Sequence, residues 1–180
     1  MSKIEKLVQE TLSINGISCA PVPVEFIAGN ADAKVSYETF DNADDISGML
    51  FRDENKTVIA INSNHSSKRQ RFTIAHELGH FFLHTGDLFV DRVARVNATT
   101  HFRNERSSLA VDKKEIQANN FAANLLMPKQ FIYDDLTKIL DRDKNISTDN
   151  LIEELSALFE VSSTAMGYRL ENLGILVRQD

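Results

Sequence analysis

The sequence has few of the residues that mark secreted, membrane-spanning or disordered proteins. It contains one cysteine, Cys19, so no disulfide can form within the chain and secretion is not indicated. It has seven glycines and three prolines and no low-complexity stretch, so no segment is predicted to be a linker. No apolar run approaches the roughly 18 residues of a membrane span, and the charged, amphipathic N-terminal residues are not typical of a signal peptide.

An excess of positive charge is also missing. The 180 residues include 20 lysines and arginines against 26 acidic residues, a formal net charge of −6, whereas a domain that holds DNA phosphates usually carries the opposite excess. The hydrophobic fraction of 42% and charged fraction of 26% are typical of a globular chain. We therefore expect a cytoplasmic protein without a membrane partner, in which direct nucleic-acid binding is not expected from charge.

The order of the predicted elements indicates an α+β fold, because the strands come first and most helices follow. The apolar spacing and the capping residues predict helices at residues 2–15, 23–27, 66–85, 112–127, 148–159 and 163–172. Alternating β-branched and aromatic residues predict strands at 35–39, 48–52 and 57–62, the last two forming a hairpin across residues 53–56. We expect one domain over residues 1–140, with a helix-turn-helix-like segment at 141–180 packed on it.

The third predicted helix carries the motif His-Glu-Leu-Gly-His at residues 76–80. Two histidines four residues apart lie on one face of an α-helix, so the imidazoles of His76 and His80 can reach one tetrahedral Zn²⁺. Glu77 would then lie beside the open coordination position and take a proton from the metal-bound water. The motif predicts a metal-dependent hydrolase, although solvent-facing histidines would give the same five letters.

A catalytic zinc ion needs a third protein ligand. His84 lies about 6 Å further along the helix, too far to share the ion, and is predicted to be a C-terminal helix residue or a core histidine. His101 has no element to position it. Glu115 opens a predicted helix, where it would be either a ligand or the acidic half of a capping box with Asp112. Asn119, one turn later, could bond a ligand histidine.

Four segments resemble the ImmA/IrrE family of bacterial metallopeptidases. They are AHELGHFFLH at 75–84, EIQANNFAANLLMP at 115–128, SGMLFRDENKTVIAINSN at 47–64 and LSALFEVSSTAMGYRLENLGIL at 155–176. The resemblance implies a zincin-like fold of the gluzincin kind, in which a small antiparallel sheet with a hairpin edge strand packs on the HExxH helix and on the glutamate-bearing helix. It implies His76, His80 and Glu115 as metal ligands and Glu77 as the general base, with Asn119 where many gluzincins have an aspartate.

The same resemblance implies a function and a substrate. Members of the family cleave a helix-turn-helix transcriptional repressor and so relieve repression in a mobile element or a stress response. The metal would be Zn²⁺, with Mn²⁺ or another divalent ion as alternatives. The substrate would pair with an edge strand, here residues 57–61 or their hairpin partner. Candidates for stabilising the oxyanion are His101, Arg103, Tyr133 and Tyr168.

The alternative is a non-catalytic chain, either a metal-binding regulatory module or a protein- or DNA-binding module that acts through the C-terminal helix pair. The two C-terminal helices could form a helix-turn-helix that binds DNA or a protein. Residues 141–180 hold four basic and eight acidic residues, a net charge of −4, and Arg169 is the one cation of the second helix. Phosphate contacts supply most non-specific DNA affinity. The charge therefore favours packing or substrate docking over DNA binding.

Overall fold

The computed structural model describes residues 1–40, 46–92 and 105–177, and it confirms the α+β class. Seven helices are present in these ranges: α1 (Lys3–Ile14), α2 (Val24–Asn30), α3 (Ser67–Leu83), α4 (Glu105–Leu126), α5 (Lys129–Arg142), α6 (Thr148–Leu158) and α7 (Ser163–Asn172). Four strands accompany them: β1 (Ala33–Glu38), β2 (Ile46–Arg52), β3 (Thr57–Asn62) and β4 (Leu88–Arg92). Among the described helices, none is both long and apolar enough to cross a membrane.

The chain divides into two compact units. The sheet unit comprises Val24–Ala122, and the helical unit comprises Met1–Pro23 together with the residues from Ala123 onward. The boundary between the two units falls within α4. The sequence analysis expected a domain over residues 1–140 and a C-terminal segment over residues 141–180. That division stays a prediction.

The sheet has the strand order β1-β3-β2-β4. The predicted hairpin is confirmed: β2 and β3 are antiparallel, and Asp53 Oδ1 accepts hydrogen bonds from the backbone N–H groups of Asn55 and Lys56 in the turn. β1 pairs parallel with β3, so the sheet is mixed rather than antiparallel. The hairpin also lies inside the sheet and not at its edge, because β4, which the sequence analysis missed, pairs with β2. The expected use of residues 57–61 or their hairpin partner as a free edge is therefore wrong.

Helix α3 packs on the sheet through a buried apolar layer that includes Leu50, Ile59 and Ile74. Gly48 of β2 allows this approach, since a Cβ atom there would collide with the Thr73 side chain and would lie 3.1 Å from the Ala60 carbonyl oxygen. The close fit fixes the height of α3 above the sheet.

A second glycine lets α4 reach α3. A Cβ atom on Gly79 would lie 2.9 Å from Ala118 Cα and 3.0 Å from the Ala118 carbonyl oxygen. Both atoms belong to the backbone of α4, so neither can move aside as a flexible side chain would. Phe121 and Ala122, fully buried, follow on the same helix.

The helical unit begins with the predicted capping box, in which Ser2 and Glu5 each bond the other's backbone N–H. Its last two helices, α6 and α7, agree with the predicted bounds to within one residue, and Glu160 turns the chain between them at φ 53°. Arg169 of α7 is buried, and its guanidinium donates to the Met127 carbonyl oxygen and to Asn124 Oδ1.

We expect Gly79→Ala to lower the free energy of unfolding by about 1–3 kcal/mol, the usual effect of overpacking a tight contact. Gly29→Ala is the matched control, because Gly29 also lies in a helix and a Cβ atom there would meet nothing within 4 Å. That variant should be neutral or slightly stabilising. Urea denaturation of both variants checks the contact, and equal stability of Gly79→Ala and wild type would contradict it.

Candidate metal centre

The two motif histidines face each other inside the sheet unit. His76 and His80 are 2% and 1% exposed, and their Nε2 atoms are 3.0 Å apart. This follows from their position one turn apart on α3, as the HExxH spacing predicts. Two buried imidazole nitrogens that converge in this way can bind one metal ion.

Glu115 supplies a third donor from α4. Its Oε2 lies 3.2 Å from His76 Nε2 and its Oε1 lies 3.3 Å from His80 Nε2. The ligand atoms of the three residues all lie within 4.8 Å of one another. Two imidazole nitrogens and a carboxylate are a donor set that suits a catalytic zinc ion, so the geometry fits a divalent metal.

The predicted alternative role of Glu115 is wrong. A capping box with Asp112 requires the helix to begin at that residue, but α4 begins at Glu105. Glu115 therefore lies well inside the helix. The sequence analysis had placed the start of this helix at residue 112, seven residues too late.

Charge reinforces this arrangement. Burial alone would raise the pKa of Glu115, but the hydrogen bonds from His76 and His80 outweigh it and lower the pKa to about 2. Burial likewise acts to lower the pKa of His76, and the bond to Glu115 with the negative charges around it raises that pKa. Each partner favours the charged form of the other.

Glu77 is buried with its carboxyl group unbonded. Its side chain is 0% exposed, and neither carboxylate oxygen finds a hydrogen-bond partner among the described residues. Burial raises its pKa to about 8, and the charges of Asp91 and Glu115 act in the same direction. Buried carboxyl groups are normally bonded. The place of Glu77 beside the three donor atoms suits a group that accepts or donates a proton there.

Asn119 of α4 lies beside His76, and its role at a metal site stays a prediction. Its Oδ1 is 3.0 Å from His76 Nδ1, so the imidazole can donate from Nδ1 and keep its Nε2 lone pair for a metal. This is the kind of bond that holds a metal-ligating histidine in one orientation.

Other residues at the centre were not assigned a functional role from the sequence. His84 caps the C-terminus of α3 and is buried, as predicted, but its Nδ1 also lies 3.0 Å from His80 Nδ1. Phe89 of β4 stacks on the His80 ring, with centroids 4.5 Å apart. The half-buried Asp91, also on β4, interacts electrostatically with His76, and burial raises the pKa of its carboxyl group. No sequence signal indicated Phe89 or Asp91, because β4 itself was not predicted.

The proposed oxyanion donors are dispersed along the chain. His101 and Arg103 lie outside the described residues. Tyr133 and Tyr168 belong to the helical unit, on α5 and α7. Their role stays a prediction.

Comparison with known proteins identifies related chains. Metallopeptidase ImmA of Bacillus subtilis (strain 168) is 31% identical over 127 residues, which cover 71% of this chain and 64% of that protein. The uncharacterized immunity region protein 2 of Bacillus phage phi105 is 38% identical over 84 residues, 47% of this chain and 46% of the phage protein. The chain thus spans about half to two thirds of the length of these relatives.

Similar structures support the same fold. A Mycobacterium tuberculosis transcriptional regulator superposes with a TM-score of 0.57 at 16% sequence identity, covering 94% of this chain and 46% of that one. At this identity the likeness concerns the fold alone. The family model Peptidase_M78, described as the IrrE N-terminal-like domain, matches residues 28–171. Since this match covers most of the chain, including α3 and α4, the resemblance found in the motifs is confirmed and the chain belongs to the ImmA/IrrE family, Peptidase_M78.

Proposed function

We propose that this chain is a metal-dependent endopeptidase in which His76, His80 and Glu115 hold a divalent ion and Glu77 acts as the general base. The observation that carries the proposal is the wholly buried, unpartnered Glu77 carboxyl group beside three convergent donors. A carboxyl group in such a place has a clear use in hydrolysis, and few purely structural ones. The name of the relative Metallopeptidase ImmA supports the same activity.

The ligand set favours zinc, since two imidazoles and a carboxylate with an open position are typical of zinc peptidases. Manganese, iron and cobalt accept the same donors, and metal availability partly decides among them. We therefore propose Zn²⁺ as the resident ion, with Mn²⁺ as the first alternative.

Each residue at the centre has a different role in the proposed reaction. A bound ion would lower the pKa of a coordinated water and polarise the scissile carbonyl group. Glu77 accepts the proton of the attacking water and then passes it to the leaving nitrogen. Asn119 holds the His76 ring so that Nε2 faces the centre. The apolar packing around α3 keeps bulk water from the Glu77 carboxyl group.

An extended substrate would bind along β4. This strand is the outer neighbour of β2 in the described sheet, and the ring of Phe89 lies on His80. A free edge offers main-chain hydrogen bonds to an incoming strand, a common way of holding a peptide. We propose β4 in place of the hairpin strands that the sequence analysis favoured.

The proposed substrate is a helix-turn-helix transcriptional repressor, whose cleavage would relieve repression in a mobile element or a stress response. The relatives are named for a metallopeptidase and for a phage immunity region, and the neighbour in fold is named as a transcriptional regulator. The net charge of −6 is compatible with a basic DNA-binding partner.

Direct DNA binding by α6 and α7 has less support. Arg169, the one cation of α7, is buried in the helical unit and bonded to Met127 and Asn124. A guanidinium used in this way makes no phosphate contact. We therefore assign the pair to packing or to docking of the protein substrate.

Elemental analysis after dialysis tests the ligand set. We expect about one transition-metal ion per wild-type chain and nearly complete loss in Glu115→Ala, because two histidines alone leave the ion one protein ligand short. Glu153→Ala is the matched control, since it removes an exposed carboxylate from a helix of the other unit. Wild-type protein that refuses both Zn²⁺ and Mn²⁺ would contradict the metal site.

Cleavage of a purified helix-turn-helix repressor encoded in the same gene cluster tests the base. Glu77→Gln should retain the metal but lower the cleavage rate by about 10²–10⁴-fold, the usual contribution of a general acid–base residue. Wild-type protein and Glu153→Ala should cleave equally. Substantial cleavage by metal-loaded Glu77→Gln would contradict this mechanism.

The metal-free protein should lose stability as the pH rises from about 4.5 to about 8. Over this range the unfolded chain releases the Glu77 proton while the folded chain keeps it, since burial raises the folded pKa to about 8 from 4.5. The change is at most about 5 kcal/mol. Glu77→Gln cannot ionise, so it should be more stable than wild type at pH 8 and similar near pH 4.5. Urea midpoints measured with a chelator check this, and parallel pH profiles would contradict it.

A further inference from the structure

His84 lies at the start of a second chain of hydrogen bonds at the metal centre. The residue is 8% exposed. Its Nδ1 is 3.0 Å from His80 Nδ1, and its Nε2 is 3.0 Å from Gln117 Oε1. His84 therefore connects one motif histidine on α3 to a residue of α4. The three side chains form a continuous line from Gln117 to His80.

Metal ligation through Nε2 would fix the direction of both bonds. A His80 that ligates from Nε2 carries its proton on Nδ1 and donates it to His84 Nδ1. His84 then carries its own proton on Nε2 and donates it to the Gln117 amide oxygen. Each ring nitrogen of His80 and His84 is then either a proton donor or a lone-pair donor. His80 Nε2 is a lone-pair donor, as a metal ligand must be.

The same ring is also held from its face. Phe89 of β4 stacks on His80 with an angle of 27° between the rings, and it lies 6.1 Å from the His84 ring centroid. Hydrogen bonds along the ring edge and stacking on its face together leave His80 one orientation. Asn119 supplies the equivalent edge bond for His76. Both motif histidines are thus connected to α4 by hydrogen bonds, His76 directly through Asn119 and His80 through His84 and Gln117.

We propose that His84 and Gln117 are positioning residues that orient His80 for the metal. The inference rests on the proposed metal site and extends it, because it assigns a use to the histidine four residues after the motif. Gln117 follows the ligand Glu115 by two residues. One short stretch of α4 would therefore supply a ligand and the end of this hydrogen-bond chain.

Competition for Zn²⁺ with a chromophoric chelator measures the effect on the full chain. We expect His84→Leu to bind Zn²⁺ about 10–100-fold more weakly, the usual loss when the bonded partner of a ligand histidine is removed. His84→Asn should bind nearly as wild type, because its amide oxygen can accept the His80 Nδ1 proton. Gln117→Leu should weaken binding less than His84→Leu, and Gln117→Glu, which keeps an acceptor, should not weaken it.

Ile116→Ala is the matched control on α4. This side chain is 60% exposed, stands between Glu115 and Gln117, and offers no polar atom. Its Zn²⁺ affinity should equal that of wild type. NMR of Zn²⁺-loaded protein with ¹⁵N-labelled histidine separates the orientation of the ring from its packing. The Nδ1 proton of His80 should be protected from exchange in wild type and in His84→Asn. It should not be protected in His84→Leu.

The Zn²⁺ affinities of the His84 and Gln117 variants test the positioning role. Zn²⁺ affinity that is unchanged in His84→Leu and Gln117→Leu would overturn it, as would an equal loss in His84→Asn and His84→Leu. If His84→Leu does not fold, the comparison of Gln117→Leu with Gln117→Glu decides, and equal affinities overturn the inference. A wild-type chain that binds no Zn²⁺ in the same titration would overturn the metal site together with the inference.

Discussion

Helices α3 and α4 approach each other so closely at Gly79 that a single added carbon would lie 2.9 Å from the backbone of Ala118. Glu115 lies about one turn before Ala118 on α4, and the contact brings its carboxylate to within 3.3 Å of both motif histidines. Gln117 and Asn119 are on the same turns and reach His84 and His76. The donor set and the bonds that orient it therefore depend on one interhelical distance. Donors placed this way are held by the core and not by loops.

The centre brings three acidic side chains close enough to affect one another's ionisation. Burial raises the pKa of both Glu77 and Asp91; the charge of Glu115 adds to the rise for each, and the charge of Asp91 adds to it for Glu77. Burying like charges is unfavourable unless a cation is near. The charge of His76 opposes the rise in pKa for both Glu77 and Asp91, and the charge of Arg69 opposes it for Asp91 as well. A divalent ion would add positive charge beside these acidic groups, which is one physical reason that it suits this centre.

Sequence reasoning succeeded where the signal was local. The step from His76 to His80 is a property of any α-helix, the Ser2–Glu5 cap is a short-range motif, and the β2–β3 hairpin follows from its turn. It failed where the outcome depended on distant contacts. β4 is five residues long and gains its identity by pairing with β2, so the edge of the sheet was misplaced. His84 looked like a core residue because its bonding partner Gln117 is 33 positions away.

The buried Arg169 has a consequence for attempts to dissect this protein. Its two acceptors, the Met127 carbonyl oxygen and Asn124 Oδ1, both lie before residue 141. A fragment that began at residue 141 would keep Arg169 but lose both acceptors of its hydrogen bonds. Its guanidinium would have to turn towards solvent, leaving a gap beneath the helix. DNA affinity observed in such a fragment would then arise from a cation that cutting the chain had released, and not from one that the intact protein displays.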